Sequence, residues 1–157
     1  MIRLTPYKDS DYIFLDYQLN DEQSRFTSSI HQCKEEGVFT DDQKSIISIL
    51  YDDIPVGFFI LDKAQENQKC TISNSSILLR SFSINPSFQG KGLGKKSMLL
   101  LTDYMYKNFP HIKEITLSVN IKNKNAYYTY LKSGFIDTEK YIDGIMGPQH
   151  ILSKNFK

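Results

Sequence analysis

The chain has 157 residues, with 19 basic and 18 acidic side chains, a net charge of +1 and 40% hydrophobic residues. That length suits one domain, expected over residues 1–157, with a core that needs no disulfide or metal staples. Near-neutral charge gives no electrostatic footprint for nucleic acid, and no apolar run approaches the roughly 20 residues that span a bilayer, so neither partner is expected.

Ile2-Arg3-Leu4 alternates and reads as a first strand. Asp9-Ser10-Asp11 offers capping oxygens ahead of helical spacing from Tyr12 to Leu19. Asp21 to Glu36 is polar and reads as a second helix, ended at Gly37. Lys44 to Tyr51 and Val56 to Leu61 read as strands joined by the turn pair Asp52-Asp53, hence a hairpin. Residues 63 to 74 read as a loop more mobile than its flanks. Ile77 to Ile84 is an apolar run that ends in a turn at Asn85-Pro86. Leu93 to Phe109 is the longest helical stretch, with Leu93, Ser97, Leu100, Leu101 and Tyr104 on one face and Pro110 as its stop. Ile112 to Val119 is a strand, Asn123 to Lys132 a helix, and Phe135 to Ile142 and Gln149 to Phe156 two closing strands. The order implies an α/β (α+β) domain built on a single mixed, mostly antiparallel sheet with helices on both faces. The strand–helix–strand unit around Leu93 to Phe109 is a crossover, so its strands should be parallel.

Cys33 and Cys70 lack metal-ligand spacing and read as unpaired thiols of a reducing compartment. The start, Met1-Ile2-Arg3-Leu4-Thr5-Pro6, has no apolar signal-peptide core. Both favour the cytoplasm. His31, His111 and His150 are scattered, so no metal is expected.

The most informative segment is Gln89-Gly90-Lys91-Gly92-Leu93-Gly94-Lys95. A strand, a glycine cluster and a helix start make a phosphate site. Orphan N–H groups and the helix dipole favour an anion, glycines let it approach the backbone, and Lys91, Lys95 and Lys96 add charge. A Walker loop or a dinucleotide fingerprint counted from Gly90 each needs glycine at the position of Lys95, so neither fits. A second skeleton runs Asn120-x-x-Asn123-x-x-Ala126-x-x-x-Tyr130-x-x-x-Gly134-Phe135. Asn123 can cap the helix, Ala126, Tyr130 and Leu131 share a face, and Gly134 suits a left-handed C-cap.

The first motif resembles the coenzyme A pyrophosphate loop of the GCN5-related N-acetyltransferase (GNAT) family, and the second resembles that family's N-x-x-A-x-x-x-Y-x-x-x-G-F signature. The resemblance is good over about residues 43 to 142. It implies the GNAT-like acyl-CoA N-acyltransferase fold, acetyl-CoA as co-substrate and transfer of its acetyl group to a primary amine of a small molecule or protein. It also implies residue roles. Gln89, Gly90, Lys91, Gly92, Leu93, Gly94 and Lys95 would hold the pyrophosphate, and the backbone of Phe82, Ser83 and Ile84 would lie along the pantetheine arm. Asn123 would bond that arm or the phosphate, an N–H near Phe82 would serve the oxyanion, and Tyr130 would protonate the departing thiolate.

Many family members carry a glutamate on the strand before the loop as general base; Leu78-Leu79-Arg80-Ser81-Phe82-Ser83 has none. Ser81 or Ser83 through a water, Glu22, His31, Glu35, Glu36, Asp143 and His150 are the alternatives. The acceptor is expected between Tyr17–Thr40 and Tyr141–Gln149, where Tyr17, Phe26, Phe39 and Tyr141 can line a pocket. The missing carboxylate keeps a non-catalytic acyl-CoA-binding sensor as the alternative. A two-fold homodimer is the commonest assembly for such a chain.

Overall fold

The computed structural model describes residues 1–63 and 75–156. The expectations for the 63–74 loop and for Cys70 therefore lie outside the described residues, apart from Lys63. The chain runs β1 (Ile2–Pro6), α1 (Tyr12–Leu15), α2 (Asp21–Ser24), α3 (Ile30–Glu35), β2 (Lys44–Tyr51), β3 (Ile54–Asp62), β4 (Ser76–Ile84), α4 (Leu93–Asn108), β5 (Glu114–Asn120), α5 (Lys124–Lys132), β6 (Ile136–Gly144) and β7 (Gly147–Asn155). Short 3₁₀ turns precede α1, β2 and α4. Seven strands form one sheet in the order β1-β2-β3-β4-β5-β7-β6. Only β4 and β5 run parallel, as a crossover through α4 requires.

Successive strand residues face opposite sides, and the apolar β3 run serves both. Phe59 and Leu61 pack with Met98 and Leu101 of α4, while Phe58 and Ile60 pack with Leu15, Ile30 and Cys33 from α1 and α3. The sheet is therefore covered on both faces. Among the described residues no helix is long and apolar enough to cross a membrane.

The two early helices are shorter than their sequence predicts. The first stops at Asp16 (φ −85°, ψ 60°) instead of Leu19, freeing Tyr17 to reach the sheet. Its hydroxyl donates to Ser83 O at 3.1 Å and lies 2.7 Å from Ser83 Oγ, an anchor that outweighs helical spacing. The second divides into α2 and α3. Asn20 caps α2 by accepting from Gln23 N, and Ser29 with Gln32 forms a capping box that starts α3 afresh. Other boundaries agree within two residues, a difference expected of strand and helix ends.

Two irregularities shape the middle of the sheet. Residues of β4 and β5 pair only at Ser76↔Glu114, Ile77↔Ile115 and Leu78↔Thr116, whereas β5 stays paired to β7 as far as Asn120. Beyond Leu78 the two strands part. Meanwhile the β3–β4 register passes from Phe58↔Ser83 to Ile60↔Arg80, so three steps on β4 oppose two on β3. Ser81 sits in this bulge at φ 59°. Gly57 supports the same region, because a Cβ there would fall 2.5 Å from Ser83 O and 2.7 Å from Ile84 Cδ1. The oxygen is backbone and cannot rotate away. Gly57→Ala is expected to cost about 1–3 kcal/mol, the usual range for overpacking. Chemical denaturation should show a lower midpoint with an unchanged slope.

Candidate active site

Where β4 leaves β5 the sheet opens into a cleft of about 720 Å³, closed at one end by the glycine loop and α4. Of the residues to which the resemblance assigns cofactor binding or proton donation, all but Lys91 line it: Phe82, Ser83, Ile84, Gln89, Gly90, Gly92, Leu93, Gly94, Lys95, Asn123 and Tyr130. Lys91 is exposed and stands outside the lining.

The loop turns through left-handed conformations at Gly90 (φ 81°) and Gly92 (φ 74°), and space is open around both. Gly92 is the N-cap of α4, whose Lys96 N donates to Gly92 O at 3.1 Å. The N–H groups of the preceding first turn are the ones a helix start leaves without helical partners. A 16-residue helix places its positive dipole end there. Gln89 holds this loop in place. Its Nε2 donates to Ile84 O at 2.8 Å, and its amide pairs reciprocally with that of Gln23 at 3.1 and 3.2 Å. The Gln89 side chain is thus committed within the protein.

The free edge of β4 follows from strand alternation. Asn85 N donates to Val56 O on β3, so Ser83 also faces β3 and the backbones of Ile84 and Phe82 face the cleft. Gln89 occupies Ile84 O. The Phe82 backbone is left facing the open space.

Tyr130 is 7% exposed, with its ring 6.0 Å from that of Phe82 and 5.5 Å from that of Phe135. Among the described residues its hydroxyl has no hydrogen-bond partner, and burial pushes the phenol well above its ordinary value. Its place is set by the end of α5: Gly134 (φ 98°) makes the left-handed cap, and Phe135 N donates to Tyr130 O at 3.1 Å.

Asn123 departs from its expected structural role. It occupies the N-cap of α5 (φ −87°, ψ 69°), but its side chain makes no cap hydrogen bond. Asn120 ties this corner instead, accepting from Lys122 N at 2.9 Å and donating to Met146 O at 2.9 Å. The Asn123 amide remains available to the cleft.

The base candidates are mostly excluded by position. Glu22, His31, Glu35, Glu36, Asp143 and His150 do not line the cleft. His31 pairs with Glu35 at 3.3 Å. His150 is enclosed by the rings of Tyr127 (4.5 Å) and Tyr141 (5.1 Å), with Nδ1 3.5 Å from Asp137. Ser81 and Ser83 do line it, the latter bonded to Tyr17. Of the four aromatic residues proposed for the acceptor pocket only Phe26 lines the cleft, whereas Phe39 packs on Tyr7 at 5.2 Å.

Two cations were given no role from the sequence. Arg25 and Arg80 both line the cleft. Arg80 Nη1 donates to Asp62 Oδ2 at 3.2 Å; Asp62 is fully buried, and Lys44 Nζ lies 3.9 Å from it. An aspartate ending one apolar strand and an arginine inside the next were the available signal, since buried charges must pair.

The sequence matches the Acetyltransferase (GNAT) family over residues 10–135. It is 38% identical over 137 residues to the uncharacterized N-acetyltransferase YbbJ of Bacillus subtilis (strain 168), covering 87% of this chain and 85% of that protein. Its fold is similar to that of the aminoglycoside acetyltransferase AAC(6')-Ib in complex with coenzyme A and kanamycin, with TM-score 0.77, 16% identity, and 99% of this chain and 95% of the other covered. It is also similar to the spermidine N-acetyltransferase of Vibrio cholerae in complex with CoA and spermine, with TM-score 0.70, 18% identity and coverage of 98% and 95%.

Proposed function

This chain belongs to the GNAT acetyltransferase family and is an N-acetyltransferase, and from that premise we propose that residues 1–157 act as one domain which carries an acetyl group from acetyl-CoA to a primary amine within the β4–β5 cleft. The observation that carries this reading is the joining of three things in one cavity: a glycine-turned helix start, an open β4 edge and the Tyr130 hydroxyl, which has no partner among the described residues. The reading places the protein in the cytoplasm, where the acetyl donor is.

Under this reading the N–H groups from Gly90 to Lys95 hold the pyrophosphate and Lys95 adds charge, while Gln89 keeps the loop in register with β4. Lys91, outside the cleft, is left to attract the anion from a distance. The pantetheine arm lies along β4 as an added strand would, and the Asn123 amide bonds to it. The thioester carbonyl then meets the Phe82 N–H. One such donor contributes about 3–4 kcal/mol to stabilising the tetrahedral oxyanion. When that intermediate collapses, Tyr130 stands ready to hydrogen-bond the departing sulfur and pass it a proton.

Burial raises the Tyr130 phenol, which makes it a weaker acid. A thiolate expelled into the same apolar space loses hydration too, so its proton affinity rises in parallel. Titration of coenzyme A by calorimetry, with thiol release from acetyl-CoA across an amine panel, tests the reading. Binding without turnover of any amine would instead support an acyl-CoA sensor.

The pH profile is a separate prediction. The described lining contains no carboxylate or histidine, so the attacking amine must arrive neutral. Tyr130, raised above its ordinary value of 10.0, stays protonated through the whole neutral range. The rate at subsaturating amine should therefore climb with pH until the acceptor's own pKa, and show no fall from Tyr130 ionisation below about pH 10. A plateau beginning near pH 6 to 7 with a high-pKa amine would reveal a base on the protein.

A further inference from the structure

We infer that the acceptor is a primary amine that also carries a carboxylate, such as an apolar amino acid, and that Arg80 reads this carboxylate. The inference rests on the acetyltransferase reading of the cleft and adds the chemical class of its second substrate.

Arg80 is built as a receptor. Asp62, fully buried at the end of β3, takes one N–H of the guanidinium and tethers it. Among the described residues the other N–H groups have no hydrogen-bond partner, and 31% of the side chain is exposed toward the cleft. An anchored planar fork with donors to spare suits a carboxylate, which it can engage through two parallel hydrogen bonds. Lys44 lies 3.9 Å from Asp62 but is paired with Asp41, so a further anion would be drawn by the spare donors of Arg80 and by Arg25, which also lines the cleft.

Its position fits an acceptor rather than the donor's phosphates. Arg80 lies four residues back from Ile84, roughly 13 Å along the strand at 3.3 Å per residue, and it is Ile84 whose carbonyl is bound by Gln89 of the glycine loop. It also precedes the Ser81 bulge, whereas the open backbone of Phe82 follows it. Arg80 pairs with Ile60, whose side chain packs on Leu15 and Cys33, so it faces the side covered by α1 to α3. Leu19, Phe26, Leu79 and Met146 supply apolar lining for a hydrophobic side chain.

The charge balance opposes polycations. Arg25, Arg80 and Lys95 line the cleft, and no carboxylate does so among the described residues. Kanamycin and spermine, bound by the two structural relatives, carry several ammonium groups. Here those groups would meet like charge. For a single amine the same field helps, because nearby positive charge lowers an ammonium's pKa and favours the neutral nucleophile. The reaction balances without redox: the C–S bond of acetyl-CoA breaks, a C–N bond forms, and the amine gives up one proton as the sulfur leaves as a thiol.

The test compares leucine, methionine and phenylalanine with their carboxamides, and with spermidine and kanamycin, by thiol release, with each kcat/KM expressed per neutral amine because an amide's ammonium is more acidic than that of its acid. Charged hydrogen bonds of this kind predict a preference of about 10- to 100-fold in kcat/KM for each acid over its amide. Arg80→Gln should bring that ratio close to one. Arg80→Lys, which keeps a charge beside Asp62 but loses the fork, should retain an intermediate ratio. Because acid and amide are compared on the same preparation, partial unfolding cancels from the ratio. Equal use of acid and amide, a preference for spermidine or kanamycin, or an unchanged ratio in Arg80→Gln would overturn the assignment. Failure to bind coenzyme A would instead overturn the acetyltransferase reading beneath it. Coenzyme A binding with no turnover of any of these amines would overturn the acceptor assignment alone.

Discussion

Gly92→Glu should abolish measurable coenzyme A binding. Gly92 is the N-cap of α4 and stands at φ 74°, with no heavy atom within 4 Å of where a Cβ would point. The new side chain therefore has room, and its carboxylate projects toward the space that the pyrophosphate occupies under the proposed function. Two unit charges about 4 Å apart repel by about 4 kcal/mol at an effective dielectric of 20, or roughly a thousandfold in affinity. Backbone strain is a separate effect. A side chain in the left-handed region costs about 1–2 kcal/mol, and it is present in the free protein as well as the bound one. It lowers the melting temperature and largely cancels from the dissociation constant. Gly92→Ala isolates that strain and is expected to lose some stability while keeping affinity within about tenfold. The corresponding acidic change at Gly90, also left-handed and open, should behave in the same way. If calorimetry finds coenzyme A bound by Gly92→Glu as tightly as by the parent, the diphosphate is not at this helix start.

Strong local signals made the long elements and the glycine loop legible in the sequence. Of the helical face read as Leu93, Ser97, Leu100, Leu101 and Tyr104, all are buried in the structure except Leu100, which is half-buried. Gly90, Gly92 and Gly134 all adopt positive φ, as glycine at tight turns predicts. The features that escaped reading depend on contacts between distant segments. Arg25 to Ser29 is polar enough to continue a helix, and its break follows from two separate caps at Asn20 and Ser29. Ser81 carries no turn signature, and its positive φ is imposed by the β3–β4 register. The Gln23–Gln89 pair joins residues 66 positions apart. Asn123 matched its motif, but the motif alone could not show whether the amide would turn inward to cap α5 or stay free. Sequence spacing thus marked residues that fold around one cleft, whereas the meeting of Arg80 with Asp62 became visible only once β3 and β4 were paired.

Tyr130→Phe should lower turnover by about 10²–10³-fold, in the range that positioned acids contribute. It should change the coenzyme A dissociation constant by less than about threefold. The separation follows from the surroundings of the hydroxyl. It lines the cleft without a partner among the described residues, so removing it breaks no hydrogen bond in the protein and leaves no orphaned group behind. The ring contacts with Phe82 and Phe135 persist in phenylalanine, which preserves the wall of the cleft. Thermal stability should be unchanged or slightly higher, because one fewer polar atom is buried. A leaving-group comparison separates proton donation from packing. An aryl thioester expels a thiolate stable enough to depart without a proton, so the deficit of Tyr130→Phe should shrink with that donor if the phenol serves the sulfur. A purely structural tyrosine would give the same deficit with both donors, and turnover and affinity would fall together. That outcome would leave Phe82 and the loop in place and return the departing thiolate to solvent for its proton.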